Sequence, residues 1–128
     1  MEISIGMKGE VSTLVEREDT ACEVGSGSLL VYATPCMVAL MEGAACEAIS
    51  GSLPEAKTSV GTELSITHLS ATPVGLEVRA EALVTAVEGS TITFQVTAFD
   101  ESGKIGEGIH KRVVITTQRF LDKTYAKL

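Results

Sequence analysis

The stretch that decides the fold is residues 34–50, with the sequence TPCMVALMEGAACEAIS. Threonine is a favoured N-cap and proline suits the first helical position, so Thr34-Pro35 predicts the start of a helix. Pro54 stops it, which places the end near Ser50. Apart from two glutamates the stretch is uncharged. A helix that is apolar nearly all round is buried, so we expect other elements to surround this one.

Segments of alternating polarity follow the helix and predict strands. Their bounds are residues 58–68, 76–82, 91–98 and 104–117. In the first three, the even-numbered positions form the more apolar face. Residues 8–19 predict one strand ahead of the helix, and the last nine residues predict a short helix.

The element order is one strand, the buried helix and four long strands joined by short hairpins, which predicts antiparallel neighbours. One helix cannot cover both faces of such a sheet, so we expect the sheet to curl around it. The outer face and the edges then meet water or another subunit. With no repeat and no linker, residues 1–128 are expected to form a single α+β domain.

Composition and charge restrict the function. The 128 residues are 45% hydrophobic, which excludes a disordered chain, and the net charge of −7 argues against a nucleic-acid binder held by phosphate contacts. The charge is uneven, because residues 1–103 carry −11 and residues 104–128 carry +4. The basic last fifth hints that an anion docks near the C-terminus, but a solvated basic strand and tail is the preferred interpretation from charge alone.

The lack of a predicted targeting signal and the spacing of the cysteines favour a cytoplasmic protein without a metal site. The amino end has neither a basic region nor a long apolar run, so no signal peptide is predicted. The most apolar run, Pro35 to Met41, is far shorter than a membrane span of about 20 residues. Cys22, Cys36 and Cys46 are odd in number and lack CxxC spacing, which indicates reduced thiols.

Glu42 and His68 are the first candidates for chemistry. Glu42 lies mid-helix in an apolar run, where a carboxylate is costly unless it is paired, hydrogen-bonded or facing a cleft. A carboxylate in such a place suits a general base or a nucleophile. The alternative is a structural one, in which Glu42 and Glu47 both lie on the solvent-exposed stripe of the helix. His68 ends the apolar face of its strand, and a satisfied core histidine is the alternative to a catalytic one.

Thr34 and Cys36 occupy the positive end of the predicted helix. The Thr34 hydroxyl and the neighbouring free N–H groups could bind a developing oxyanion, beside an evident capping role. Cys36 would gain a lowered pKa there, but a small buried residue is the preferred interpretation because no partner base is evident.

An ordered set of segments, densest over residues 32–75, carries a resemblance to a known family. The segments are Ala33-Thr34-Pro35 through Glu42, Thr58-Ser59-Val60-Gly61-Thr62, Thr67-His68-Leu69 and Ala71-Thr72-Pro73-Val74-Gly75. On them the chain resembles the fluoroacetyl-CoA thioesterase-like branch of the hot-dog thioesterases. The hot-dog fold, a long antiparallel sheet around one helix, also matches the pattern of elements.

The resemblance implies a site and an activity. It implies a catalytic triad of Thr34, Glu42 and His68, with Gly61 beside the reacting thioester and Arg112 as a basic group on the substrate side. Strict alternation turns Gly61 away from His68, and a bulge or a close backbone approach at Gly61 would resolve this.

The resemblance also implies an acyl-CoA substrate, a homodimer with sites at the subunit interface, and no separate cofactor, since coenzyme A is part of the substrate. Its phosphates need positive charge, for which Lys104, Lys111 and Arg112 are candidates. One departure is the segment from Val24 to Ser28. It lacks the bulky apolar residues that form a lid in members specialised for fluoroacetyl groups, so fluoroacetyl specificity is not expected.

Two alternatives remain at this stage. A hot-dog hydratase or dehydratase carries a histidine on the helix, whereas His68 and His110 both lie outside it. In a non-catalytic module that binds acyl-CoA or another small ligand, Glu42 and His68 would form a buried structural pair.

Overall fold

A computed structural model describes residues 2–128 of the chain. The strands are β1 (Lys8–Leu14), β2 (Lys57–His68), β3 (Glu77–Glu88), β4 (Thr91–Asp100) and β5 (Gly103–Thr116), and the helices are α1 (Ala21–Val24), α2 (Thr34–Ile49) and α3 (Thr117–Tyr125), with 3-10 turns at Arg17–Asp19 and Ser50–Ser52. The strands form one antiparallel sheet in the order β1-β3-β4-β5-β2. The long helix α2 packs against this sheet.

The core lies between α2 and the central strands. The predicted inward face of β4 is confirmed in full and that of β3 from Val78 onward, whereas Leu76 precedes the strand and is half-buried. The buried residues, each at most 1% exposed, are Val78, Ala80, Ala82 and, beyond the predicted segment, Val84 on β3, and Ile92, Phe94, Val96 and Ala98 on β4. Several are alanines, and short side chains let a helix lie close to the sheet. Met37, Met41, Ala44, Ala45 and Ile49 fill the space from the helix side.

Two predicted features of the sheet are wrong. The first strand ends at Leu14 rather than residue 19, because the Asp19 carboxylate accepts a hydrogen bond from the Glu16 N–H at 2.9 Å and stabilises a 3-10 turn there. The strands after α2 are not all joined by short hairpins. Residues 69–76 lead from β2 at one edge to β3, and β2 pairs instead with β5.

Helix α2 is not buried all round in the single chain. Pro35 and Ala39 are exposed on one stripe, and Glu42 and Cys46 on the same stripe are half-buried. The expectation of a fully surrounded helix therefore fails within one chain, because the sheet covers only the side that carries the methionines and alanines. No helix among residues 2–128 is both long and apolar enough to cross a lipid bilayer.

Candidate active site

Thr34 and His68 meet where α2 begins and β2 ends. Thr34 Oγ1 lies 2.7 Å from His68 Nδ1. His68 pairs in register with Gly106 of β5, where a Cβ atom would lie 2.6 Å from Met37 Sδ. Glycine therefore lets the first turn of α2 approach this end of the sheet. The predicted N-cap role of Thr34 is wrong, since Ala33 occupies the cap and the Thr34 hydroxyl contacts His68 instead.

His68 has the properties of a group that transfers protons. Burial lowers the pKa of His68, and the nearby Ser70 backbone offsets part of that effect. The ring is therefore neutral at pH 7, since its ordinary pKa is about 6.5. Its Nε2 atom is buried and makes no hydrogen bond within residues 2–128. One ring nitrogen thus faces Thr34 and the other remains available.

Glu42 belongs to a second group, formed around Arg112. The Arg112 Nη1 atom donates to Glu42 Oε2 at 3.2 Å and to His110 Nε2 at 3.1 Å. Its Nε and Nη2 atoms donate to the Ser59 hydroxyl at 2.9 Å and the Ser59 carbonyl at 3.1 Å. Arg112 is only 7% exposed, whereas the Glu42 side chain is 39% exposed. The buried guanidinium therefore orients a carboxylate that is still open to solvent.

His110 completes this group, and its partners decide its tautomer. Because arginine only donates, His110 Nε2 must accept, and Nδ1–H donates to the Glu63 carbonyl at 2.9 Å. The ring also stacks on Phe94, with centroids 6.0 Å apart. Burial lowers the pKa of His110 and Arg112 lowers it further, while the Glu63 carbonyl and Glu42 oppose this.

His110 was not among the residues that sequence reasoning assigned to the site. The signal was present, because positions two apart on a strand share a face and His110 lies two residues before Arg112.

Gly61 lies directly beside the Glu42 carboxylate. The register between β2 and β5 shifts between Gly61 and Glu63, so a bulge at Thr62 moves Gly61 onto the face that carries Leu64, Ile66 and His68. A Cβ at Gly61 would lie only 2.6 Å from Glu42 Oε2. Both the expected bulge and the close approach are present. The even-numbered face predicted for residues 58–62 is therefore wrong.

The structure does not bring every predicted site residue together. Thr34 and Glu42 are eight residues apart on one helix, which separates them by about 12 Å along its axis. Lys111 lies on the opposite face of β5 from Arg112, because neighbouring strand residues point to opposite sides.

The surface lysines expected to meet the phosphates of the substrate are engaged elsewhere. Lys111 lies 3.7 Å from Glu63, and Lys104 lies 2.9 Å from Glu107. Lys111 and Arg112 therefore point to opposite faces of β5, and the phosphate-binding role predicted for them remains a prediction.

The described residues also bear on three other kinds of site: a cysteine nucleophile, a metal centre and a histidine on the helix. Burial raises the pKa of the Cys36 thiol and Asp19 adds to this, so the lowered pKa considered for Cys36 is wrong. Residues 2–128 contain no group of three or more His, Cys, Asp or Glu side chains placed to hold a metal ion. His68 and His110 lie on β2 and β5 rather than on the central helix α2.

Comparison with known families identifies the chain. A family model described as fluoroacetyl-CoA-specific thioesterase matches residues 15–118. This chain belongs to that family. The fluoroacetyl-CoA thioesterase of Streptantibioticus cattleyicolor is 40% identical over 97 residues, which cover 76% of this chain and 70% of that protein.

Solved structures agree with this membership of the fluoroacetyl-CoA-specific thioesterase family. The thioesterase FlK superposes with a TM-score of 0.93 at 31% identity, covering 100% of this chain and 99% of that one. A thioesterase superfamily member from Thermus thermophilus gives 0.85 at 28% identity, covering 99% and 98% of the two chains. A hot-dog-like protein from Thermanaerovibrio acidaminovorans gives 0.87 at 23% identity, covering 97% and 92%. The predicted hot-dog fold is confirmed.

Proposed function

We propose that this protein hydrolyses the thioester of a short acyl-CoA, releasing the free acid and coenzyme A. Family membership supports the reaction class, and the observation that carries the proposal is the contact between Thr34 and His68 at the start of α2. The acyl group is small but not restricted to fluoroacetyl. The chain before α2, from Val24 to Ser28, is exposed and carries no bulky apolar cover.

The proposed site is shared between two subunits of a homodimer. Thr34 and Glu42 are about 12 Å apart on one helix, so a single chain cannot place both on one carbonyl carbon. The outer edge of β2, twelve residues long, has no strand beside it among residues 2–128. An open edge of that length is a template for pairing with another chain.

Antiparallel pairing of two β2 strands then assembles the groups. With the two-fold axis near Leu64 and Ser65, Gly61 of one chain lies across from His68 of the partner subunit. Glu42 contacts Gly61 and Thr34 contacts His68, so the carboxylate of one chain approaches the pair on the other. The exposed stripe of α2 with Pro35 and Ala39 would face the second chain.

Each group has a role in the proposed hydrolysis. The Thr34 hydroxyl and the N-terminus of α2 stabilise negative charge on the thioester oxygen. Glu42 either attacks the carbonyl carbon and forms an anhydride that water hydrolyses, or takes a proton from the attacking water. In both routes one water is consumed, the C–S bond breaks, and coenzyme A leaves as its thiolate. His68, which is neutral before the reaction, accepts the proton that the water releases, directly or through Glu42, and passes it to the sulfur.

Two substitutions test the proposed activity. We expect Glu42→Gln and His68→Ala each to abolish thiol release from acetyl-CoA, because they remove the attacking or activating carboxylate and the group that transfers the proton. Glu47→Gln is the matched control, since Glu47 is an exposed glutamate on the same helix. Full activity in Glu42→Gln or His68→Ala would overturn the mechanism, and binding of acetyl-CoA by the wild type without thiol release would indicate a non-catalytic module.

Mixing the two inactive variants tests the shared site. After unfolding and refolding together, half of the dimers are mixed, and each mixed dimer holds one intact site if Glu42 and His68 act across the interface. About a quarter of wild-type activity should return. Mixed dimers without activity would overturn the shared site and leave the evidence for hydrolysis unaffected.

A further inference from the structure

A cavity of about 360 Å³ opens where β5 ends and α3 begins. Three cationic side chains line it, from Lys57 on β2 and from Arg119 and Lys123 on α3, and no acidic side chain does. The hydroxyl residues Ser90 and Thr116 contribute to the wall, together with Phe120. A site of this composition suits a ligand with several negative charges.

The three cations are not neutralised within the described chain. Lys57, Arg119 and Lys123 form no ion pair with any of residues 2–128, whereas Lys104 and Lys111 each have a glutamate partner. The nearest acidic residue of α3, Asp122, accepts a hydrogen bond from Gln118 at 2.8 Å and does not line the cavity. Three unpaired cations around one cavity stand out in a protein of net charge −7.

A second cavity adjoins the first, and its charges balance rather than being cationic. It has a volume of about 410 Å³, shares Lys57 and Ser90 with the first cavity and is also lined by Glu2. An anion at this end of the sheet is therefore favoured in the first cavity, on the side of α3.

The position of the cavity fits the proposed reaction. Lys57 is paired in register with Thr116, and Gly61 is paired with Arg112 four residues further along the same two strands. Four residues of strand span about 13 Å. The cavity is thus separated from the Glu42 carboxylate by a stretch of edge strand, and coenzyme A likewise separates its thioester from its phosphates by an extended pantetheine arm.

We infer that this cavity binds the phosphorylated adenosine of the acyl-CoA substrate, an inference that rests on the proposed hydrolysis. Arg119, Lys123 and Lys57 pair with the diphosphate and the 3′-phosphate, since both guanidinium and ammonium groups bind phosphate oxygens. The N-terminus of α3 adds the positive end of its dipole. Phe120, which is 39% exposed, provides an apolar surface for the adenine ring.

A comparison of two substrates tests this inference. Arg119→Gln and Lys123→Gln should each raise the KM for acetyl-CoA about fivefold, because each removes one exposed ion pair with a phosphate. The kcat should not change, nor should either constant for acetyl-pantetheine, which lacks the nucleotide. Lys8→Gln, which changes an exposed lysine on β1 at the opposite edge of the sheet, is the control of equal charge change and should leave both substrates unaffected. An unchanged KM for acetyl-CoA in the double variant, which combines Arg119→Gln with Lys123→Gln, would overturn the inference.

A binding measurement separates this inference from the proposed function. Calorimetric titration with adenosine 3′,5′-bisphosphate needs no turnover, so it remains decisive if the wild type hydrolyses neither substrate. Saturable binding that the double variant weakens at least tenfold supports the site. No binding, or binding no tighter than that of inorganic phosphate, overturns it.

Discussion

Replacing Gly61 by alanine tests how closely the Glu42 carboxylate must approach the edge strand. The added Cβ would lie 2.6 Å from Glu42 Oε2, 3.2 Å from His110 Cε1 and 3.3 Å from Arg112 Nη1. His110 and Arg112 are fixed by several hydrogen bonds, whereas the glutamate is half exposed and flexible. The carboxylate is therefore the group that moves, by about 0.8 Å to reach an ordinary contact of 3.4 Å.

That displacement should reduce the rate far more than the stability. A misplacement of about 1 Å in a reacting group can cost on the order of 100-fold in rate, so we expect kcat to fall about 100-fold. Weakening the hydrogen bond from Arg112 to Glu42 costs about 1.5 kcal/mol of unfolding free energy, and the gain from replacing glycine by alanine offsets part of this. The net loss of about 1 kcal/mol should lower the Tm by about 4 °C.

The assay is thiol release from acetyl-CoA, run beside thermal unfolding of the same samples. Gly43→Ala is the matched control, because Gly43 follows Glu42 directly on α2. A Cβ at Gly43 would lie at an ordinary contact distance of 3.7 Å from Val11 Cγ2. Gly108→Ala is the control for a misfolded chain, since its Cβ would lie 2.1 Å from the Ser65 carbonyl oxygen. A Gly61→Ala protein with wild-type kcat would refute the reasoning that links this close approach to catalysis.

Two further predictions concern the group around Glu42 and the two histidines. Arg112→Lys should lower the unfolding free energy by about 2 kcal/mol in urea titrations, because one ammonium cannot hold Ser59, His110 and Glu42 together; unchanged stability would contradict the assigned role. Burial lowers the pKa of both His68 and His110, so the unfolded chain binds protons at a higher pH than the folded chain. The stability that the neutral histidines contribute is therefore complete above about pH 6.5, the unfolded pKa, and is lost as the pH falls from there through their lower folded pKa values. Unfolding free energies at pH 7.5 and 5.5 should show this loss, and it should be smaller in His110→Asn, whereas an equal loss in that variant would exclude His110 as a source.

Local patterns were sufficient to predict most of the secondary structure. The main helix was predicted within one residue of its observed ends, because Thr34-Pro35 and Pro54 act on the backbone next to them. The buried faces of β3 and β4 follow from an alternation visible along each strand. A terminal helix was also predicted, over residues 120–128, and the observed α3 begins three residues earlier and spans Thr117–Tyr125.

Strand order and the composition of the site needed the tertiary structure. β2 lies beside β5 rather than β3, and neighbours along the chain cannot reveal which distant strand forms the edge. The bulge at Thr62 reverses which residues of β2 face the helix, because the side-chain period is two and one extra residue inverts it. Only that inversion places Gly61 against Glu42.

By itself the sequence determined that an apolar helix with one central carboxylate packs on a long antiparallel sheet, since each of these features depends on residues a few positions apart. The tertiary structure alone decided that Thr34 pairs with His68 and Glu42 with Arg112, and that the unpaired cations gather at the end of β5. The residues of each pair are separated by 34 and 70 positions. Contacts over such distances depend on how the strands are ordered and where the helix crosses them, and local propensity carries no information about either.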